Sequence, residues 1–303
     1  MKKVMTGSIR QQPLDQKEKV DVIRSLRVIR WRLRRIYAGV RFGQMALEGS
    51  PVIFGNSFPK SGTHLLAQIL SAFPKIGVAV DRGMGPVLTF ERSTGRQRSS
   101  REVLAELNRL QAGDLAFGHV TAEPEIVEGW HHDQVVHFFM IRDPRDVVVS
   151  HAFYIGDKAT QNVHHAYYRS LPDLDSRLRT SILGRPDWEG DFPDVGKRFS
   201  AYLGWLDCPW VTILRFEDYI KDRDDAITQL VEFSEERGYQ RIVGRQRAIE
   251  ILTRAIDPSH SFTFRSGKVG DWQKYFTKEH KRLFKDVAGD LLIHLGYERD
   301  LTW

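Results

Sequence analysis

The hydrophobic positions of this chain recur with two different spacings. Predominantly apolar runs, typical of buried strands, lie at 52–54, 115–120, 134–141 and 210–214. Apolar residues spaced three and four apart, typical of helices, lie between or after these runs. Strands that alternate with helices favour a parallel sheet with helices on both faces. The sequence therefore predicts a single α/β domain at 50–303, built on a central parallel sheet flanked by helices.

The same patterns predict helices at 102–110, 226–237, 245–256 and 278–295. Residues 76–80 have the pattern of a short strand, and residues 81–101, rich in Gly, Ser and Arg, have that of an exposed loop. Residues 156–199 combine prolines with scattered aromatic residues, so we expect the least regular structure there.

Residues 22–41 carry the clearest helical pattern in the chain. One stripe is apolar and consists of Val22, Leu26, Ile29, Leu33, Ile36 and Val40. The other faces carry Arg24, Arg27, Arg30, Arg32, Arg34, Arg35 and Arg41. Two interpretations stay open: the apolar stripe packs on the domain and the arginine face is solvated, or the helix lies in an anionic membrane interface. We treat residues 1–45 as a basic amphipathic extension.

A short polar turn joins the strand at 52–54 to the next helix. The turn and the first helical residues supply Lys60, Ser61, Gly62, Thr63 and His64. Backbone N–H groups in such a turn, together with a helix N-terminus, bind anions, and Lys60 adds a positive charge. We therefore predict a phosphate site. Its order of residues differs from that of the Walker ATP loop, in which a glycine directly precedes the lysine.

A second strand-to-helix turn follows the apolar run at 134–141. Arg142 comes first, Asp143 is a candidate N-cap, and Pro144 suits the first helical position. An arginine can bind two phosphate oxygens at once, and Ser150, inside the new helix, can add a hydroxyl donor. Two anion sites are therefore expected at the same edge of the sheet, where the carboxyl ends of parallel strands meet.

Three stretches in this order resemble the PAPS-dependent sulfotransferases. They are 59–63, which is similar to the 5′-phosphosulfate loop of that family, 142–150, similar to its 3′-phosphate motif, and 264–272, similar to its late glycine-rich loop. The resemblance covers roughly residues 50–296. It implies a P-loop-NTPase-like sulfotransferase fold, PAPS as co-substrate, and no metal.

The resemblance also implies roles for individual residues. Lys60 would stabilise the leaving phosphate, assisted by Ser150, and His119 would be the general base for the acceptor hydroxyl. The remaining cofactor-binding residues would be Ser61, Gly62, Thr63, His64, Arg142, Phe216, Arg265, Ser266 and Gly267.

Several positions depart from the better-known cytosolic members of that family. Phe216 replaces a tyrosine, Ser266 replaces a lysine, and Leu65 stands where those members have a tryptophan that stacks on adenine. Residues 271–277 keep only part of the family's dimer motif, so the sequence leaves the oligomeric state open.

Composition narrows the partners and the compartment. The net charge of +6 suits acidic ligands or lipids. No helix-turn-helix, zinc-finger or RNP motif is present, so we expect no nucleic-acid partner. Cys208 is the only cysteine, which excludes an intramolecular disulfide, and the N-terminal residues lack the apolar core of a signal peptide. We expect a cytoplasmic protein, with peripheral membrane contact through 22–41 as an open hypothesis.

Three functions remain in competition. The first is a sulfotransferase acting on the hydroxyl of a glycan, glycolipid, lipid or small molecule. The second is an ATP-dependent kinase with an aberrant phosphate loop, and the third is a non-catalytic nucleotide- or membrane-binding protein. The presence of Lys60, His119 and Ser150 together favours an enzyme, because a protein that only binds has no use for a general base.

Overall fold

The computed structural model of the protein describes residues 16–131, 133–190, 192–260 and 267–303. Within these residues, six parallel strands form one sheet in the order β2-β4-β1-β5-β6, with β3 paired to β4. The strands are β1 Val52–Ser57, β2 Val80–Asp81, β3 Val87–Leu88, β4 Asp114–His119, β5 Val135–Ile141 and β6 Val211–Arg215. The prediction of a single α/β domain with a central parallel sheet is confirmed.

The helices occupy most of the remaining described chain. They are α1 Gln16–Phe42, α2 Gln44–Glu48, α3 Thr63–Ser71, α4 Ser100–Leu107, α5 Pro124–Trp130, α6 Pro144–Asp157, α7 His165–Ser170, α8 Leu174–Leu183, α9 Val195–Leu203, α10 Phe216–Lys221, α11 Arg223–Glu236, α12 Arg245–Arg254 and α13 Lys278–His294. Short 3-10 helices lie at Phe73–Lys75, Gly204–Asp207, Pro258–His260 and Asp271–Lys274.

Two apolar cores, one on each face of the sheet, follow from the alternation of side chains along the strands. In β5, Val135 and Phe139 join the core that also contains residues of α6, α8, α9 and α13. Their neighbours Val136 and Phe138 point the other way and join residues of α3, α11 and α12. Every residue of β1 and β5 is buried. A strand with helices on both faces has no solvated side, which explains why these strands are mostly apolar and do not alternate with exposed polar residues.

The segment 156–199 is more regular than predicted, because it contains α7, α8 and the start of α9. The prolines that suggested irregular structure lie in the connections between these helices, at Pro172, Pro186 and Pro193. Asp173 then caps α8 by accepting a hydrogen bond from the Ser176 backbone N–H, and Asp194 caps α9 through the Lys197 N–H. The prolines therefore separate helices and do not disrupt them.

Two shorter predictions are also corrected. The predicted strand at 76–80 joins the parallel sheet only from Val80, as β2. Ile76 follows a 3-10 turn and donates its N–H to the Phe73 carbonyl, and Gly77 forms an isolated antiparallel bridge with Arg241. The predicted loop at 81–101 contains β3, and it ends at Ser99, which forms a capping box for α4. Helix α5 was not predicted, since its seven residues are too few for a clear period.

Helix α1 packs on the domain through the face opposite its apolar stripe. Trp31 Nε1 and Arg35 Nη1 each donate to Asp114 Oδ1 at 2.9 Å, and Ala38 lies in a small apolar cluster with Leu47 and Val80. The apolar stripe is exposed. The interpretation in which that stripe packs on the domain is therefore wrong. Among the residues described, no helix is both long and apolar enough to cross a membrane.

One buried histidine should control the stability of the core at acidic pH. His137 is fully buried against Phe54 and Trp205, and neither of its ring nitrogens has a hydrogen-bond partner. Burial lowers its pKa to about 3. The unfolded chain binds a proton near the ordinary histidine pKa of about 6.5, and the folded chain does not. Stability is therefore complete above that pH and falls below it, by about 1.4 kcal/mol per pH unit for this group.

We expect the His137→Phe variant to lose less stability than the wild type between pH 6.5 and 4. Urea unfolding at several pH values measures the difference in slope. His294→Phe, at an exposed position, is the matched control and should keep the wild-type slope. Equal slopes for His137→Phe and the wild type would contradict a neutral buried imidazole.

Candidate active site

A cavity of about 1410 Å³ opens at the carboxyl ends of the strands. Its lining includes most of the residues that the sequence singled out: Lys60, Gly62, Thr63, His64, His119, Arg142, Ser150, Phe216 and Gly267. Ser61 is fully buried in the same turn. Arg265 and Ser266 lie outside the described residues. The fold therefore brings both predicted anion turns and the predicted base to one cavity.

The turn between β1 and α3 has a backbone that few sequences can adopt. Lys60 has a φ of 73°, and among the described residues it is the only non-glycine residue with a positive φ. Gly62 has a φ of 108°, and a Cβ at this position would lie 2.7 Å from Met140 Sδ and 2.7 Å from Phe216 Cδ2. Such strain is typical of functional sites. The conformation directs the N-terminus of α3, which begins at Thr63, toward the cavity.

The ammonium group of Lys60 lies over an aromatic ring. Its Nζ is 3.9 Å from the centroid of the Tyr154 ring, which is on α6. This cation–π contact holds the charge of Lys60 within the cavity that both residues line. Two aromatic residues near Tyr154 in the chain are engaged elsewhere, since Tyr168 is fully buried and Phe153 packs on Tyr275.

His119 is held in one tautomer by the end of the central strand. Its Nδ1 lies 2.9 Å from the Ser57 carbonyl oxygen. Because a carbonyl only accepts, Nδ1 carries the proton and Nε2 is left as the acceptor. The pKa of His119 is lowered to about 4, mainly by burial, with a further contribution from the cations Arg92 and Lys60 and against the opposing effect of the Ser57 carbonyl. The imidazole is therefore neutral at neutral pH, as a base must be.

His64 lies at the exposed start of α3 and lines the same cavity. Desolvation lowers the pKa of His64, and the positive charges of Lys60 and Arg92 add to this effect. Its ring is therefore an uncharged neighbour of the turn at neutral pH.

Arg142 is positioned by three contacts at the start of the second turn. Its Nη2 donates to the Lys268 carbonyl at 2.9 Å, its guanidinium lies 4.4 Å from the centroid of the Phe216 ring, and Asp146 Oδ2 is 3.5 Å away. Its Nε is buried and has no hydrogen-bond partner. A buried guanidinium N–H without a partner is costly unless a ligand accepts from it. Phe216 thus supports Arg142, although it lacks a hydroxyl.

The helix that follows begins as predicted. Asp143 accepts a hydrogen bond from the Arg145 N–H, and Pro144 occupies the first helical position of α6. The Asp143 N–H in turn donates to Glu217 Oε1 on α10. Ser150, further along α6, lines the cavity. The predicted cap therefore sets the direction in which α6 presents Ser150.

Asp146 is a site residue that the sequence analysis missed. Its two carboxylate oxygens accept hydrogen bonds from the backbone N–H groups of Gly270 and Trp272, both at 2.9 Å. The side chain is fully buried and also lies beside Arg142. It therefore ties the second anion turn to the chain that follows Gly267. In the sequence, the only sign of this role is an acidic residue four positions after Arg142. Such a spacing does not reveal the contacts with Gly270 and Trp272, which form only in the folded chain.

Other cavity residues gave no signal in the sequence. His151 Nδ1 lies 3.0 Å from Ser181 Oγ, and Arg198 donates to the Ser181 carbonyl while its guanidinium lies over the Phe192 ring. The Nε of Arg198 is buried without a hydrogen-bond partner. These residues come from α6, α8 and α9, which only the folded chain brings together. No group of three or more His, Cys, Asp or Glu residues in the described part of the chain could hold a metal ion.

Replacing Asp146 by asparagine should loosen the connection between α6 and the late loop. Asp146→Asn keeps the size of the side chain but puts an amide donor against one of the two backbone N–H groups. We expect a loss of about 1–3 kcal/mol in the free energy of unfolding, measured with urea. Asp290→Asn, on the exposed side of α13, is the control and should be neutral. An unchanged stability for Asp146→Asn would refute the linking role.

Comparison with known proteins agrees with this geometry. Two solved structures with a similar fold illustrate this. Mouse sulfotransferase SULT7A1 complexed with PAP has a TM-score of 0.56 and 20% identity, and the match covers 85% of this chain and 90% of that one. Retinol dehydratase in complex with androsterone and PAP has a TM-score of 0.50 and 14% identity, and the match covers 82% of this chain and 84% of that one. No curated protein is similar enough in sequence to count as a relative. The sulfotransferase domain model matches residues 52–296. This chain belongs to the sulfotransferase domain family.

Proposed function

We propose that this protein transfers a sulfuryl group from PAPS to the hydroxyl of an acceptor. The observation that carries the proposal is the placement of two separate anion-binding turns, around Lys60 and Arg142, in one cavity with His119. PAPS has a 5′-phosphosulfate and a separate 3′-phosphate, so it needs two such turns. An ATP-dependent kinase gives no reason for the second one.

The residues present fit PAPS on two counts. The turn at Lys60 offers the N-terminus of α3, and the buried Ser61 Oγ has no hydrogen-bond partner. Arg142 offers its unpartnered Nε. Ser61, Gly62, Thr63 and His64 would bind the 5′ end, whereas Arg142 and Ser150 would bind the 3′-phosphate with Phe216 behind them. Support also comes from the two solved relatives, both of which bind PAP.

The late loop would complete the 3′-phosphate site. Gly267 lines the cavity, and Asp146 holds the backbone N–H groups of Gly270 and Trp272 just after it. Arg142 donates to the Lys268 carbonyl in the same stretch. We propose that Arg265 and Ser266 contact the phosphate from this loop, with Ser266 as a weaker ligand than the lysine of related enzymes.

His119 would act as the general base. Its Nδ1–H is held by the Ser57 carbonyl, so Nε2 takes the proton of the acceptor hydroxyl. As the new O–S bond forms, the bond from sulfur to the bridging oxygen breaks, and the electron pair stays on the 5′-phosphate of PAP. Lys60 would stabilise that developing charge. The step requires no metal.

Lys60 must reach the bridging oxygen when the sulfuryl group is transferred. The Tyr154 ring provides an aromatic surface for its ammonium group. Ser150, on the same helix as Tyr154, would hold Lys60 away from the bridging oxygen until the acceptor arrives. The left-handed backbone of Lys60 sets the starting direction of this side chain.

The acceptor would occupy the rest of the cavity. A volume of about 1410 Å³ exceeds the roughly 300–1,000 Å³ of ordinary ligand pockets, which leaves space for a second substrate. Its lining mixes apolar residues such as Leu88 and Phe90 with cations such as Arg92 and Arg198. We propose an amphipathic hydroxyl acceptor, either a glycan, a glycolipid or a lipid. We also place the protein in the cytoplasm, because Cys208, its only cysteine, cannot form an intramolecular disulfide.

Binding of PAP is the first test. At a concentration one hundred times its Kd, PAP should stabilise the folded wild type by about 2.7 kcal/mol. Thermal unfolding should show this shift, and Arg142→Ala should reduce it because a ligand of the 3′-phosphate is lost. Arg299→Ala, at an exposed position, should keep the full shift. A shift with ATP and Mg²⁺ but none with PAP would favour the kinase.

Loss of the base should abolish transfer but keep cofactor binding. We expect His119→Gln to lower the rate of sulfuryl transfer by about 10²–10⁴-fold while the PAP-induced thermal shift persists. In the wild type, kcat/KM should fall as the pH drops through the His119 pKa of about 4, because the protonated imidazole cannot accept a proton. An acid limb above pH 6.5 in kcat/KM, or an active His119→Gln variant, would argue against this role.

A further inference from the structure

The apolar stripe of α1 is exposed over its whole described length. Ile29 is 52% exposed, Leu33 59%, Ile36 64% and Val40 83%. Val22 and Leu26 at one end, and Met45 of α2 at the other, extend the exposed row. A continuous apolar face of this size on a folded protein marks an interaction surface.

The contacts of α1 keep this stripe from turning inward. Asp114 is fully buried and accepts hydrogen bonds from Trp31 and Arg35, which lie on the opposite side of the helix from Leu33. Arg35 also donates to the Ala112 carbonyl at 2.9 Å. Rotation of the helix would leave the buried Asp114 carboxylate without these partners, which is costly. The apolar face is therefore held outward.

Two exposed arginines flank the stripe. At 3.6 residues per turn, Arg30 and Arg32 lie about 80° to either side of its centre. Both are exposed. An apolar face bordered by cations on both sides matches the boundary between acyl chains and anionic headgroups, where long basic side chains reach the phosphates. Docking of a protein partner, or of a second copy of this chain, would not require positively charged residues on both sides of the apolar stripe.

The helix also lies next to the wall of the active-site cavity. Arg34 Nη1 donates to the Asp81 carbonyl at 2.9 Å, and a Cβ built on Gly85 would lie 3.9 Å from Arg27 Nη1. Pro86, the next residue, lines the cavity. The middle of α1 is thus close in space to the segment that borders the cavity.

We propose that the outward face of α1 docks the protein on an anionic lipid surface. The apolar residues enter the boundary of the acyl chains, and Arg30 and Arg32 bind the phosphates of the headgroups. The cavity wall at 85–88 then lies near the membrane, so that the acceptor is a hydroxyl compound carried by the membrane. This last step rests on the proposed function, whereas the docking itself does not.

Sedimentation with vesicles tests the docking. The full chain should bind vesicles that contain phosphatidylglycerol and bind pure phosphatidylcholine vesicles more weakly. The double variant Leu33→Asp/Ile36→Asp should reduce binding at least tenfold. Arg30→Ser and Arg32→Ser should each reduce binding to anionic vesicles about fivefold. Ile242→Asp, an exposed isoleucine outside α1, and Arg299→Ser are the matched controls and should bind as the wild type does.

Three further results distinguish membrane docking from misfolding and from dimer formation. The double variant should keep the wild-type circular dichroism and the PAP-induced thermal shift, which separates loss of docking from loss of folding or of the proposed function. Equal binding of the wild type and the double variant to anionic vesicles would overturn the proposal. So would a wild type that ignores vesicles but forms a dimer that the double variant lacks, because the second copy would then cover the stripe.

Discussion

The hydrogen bond from His119 to the Ser57 carbonyl is the interaction on which the chemistry of the cavity depends. It joins the ends of β4 and β1, so the position of the proposed base relative to the proposed phosphate turn is set by the sheet itself. On the other side of β4, β3 approaches closely, because a Cβ on Gly118 would lie 2.4 Å from the Val87 carbonyl oxygen. A rigid sheet edge therefore orients His119 more precisely than a flexible loop would.

The second anion turn and the late loop are joined by buried charges. Arg142 lies beside Asp146, and Asp146 binds the backbone that follows Gly267. The same helix carries Tyr154, whose ring contacts Lys60 of the other turn, and Ser150, which lines the same cavity. Helix α6 is thus the element that connects the turn after β1, the turn after β5 and the late loop. A single rigid helix can hold two phosphate sites at a constant separation.

Helix α1 shows how a buried ionic contact can decide which face of an amphipathic helix is covered. The apolar stripe by itself leaves open whether it faces the domain or a membrane. Asp114 turns the stripe outward, since a fully buried carboxylate needs the donors of Trp31 and Arg35. The apolar stripe is therefore exposed and stays free for the proposed lipid surface.

The amino-acid sequence by itself determined the alternation of strands and helices, the two polar turns and the cap of α6, because these depend on neighbouring residues. The positions of His119, Lys60 and Arg142 at the ends of strands could be predicted from the sequence for the same reason, whereas their proposed roles come from the family resemblance. Only the tertiary structure decided the roles of Asp146, Tyr154 and Arg198 and the orientation of α1. The contacts of Asp146 with Gly270 and of Asp114 with Trp31 join residues far apart in the chain. Local spacing carries no information about such pairs, since they form only when the sheet brings their elements together.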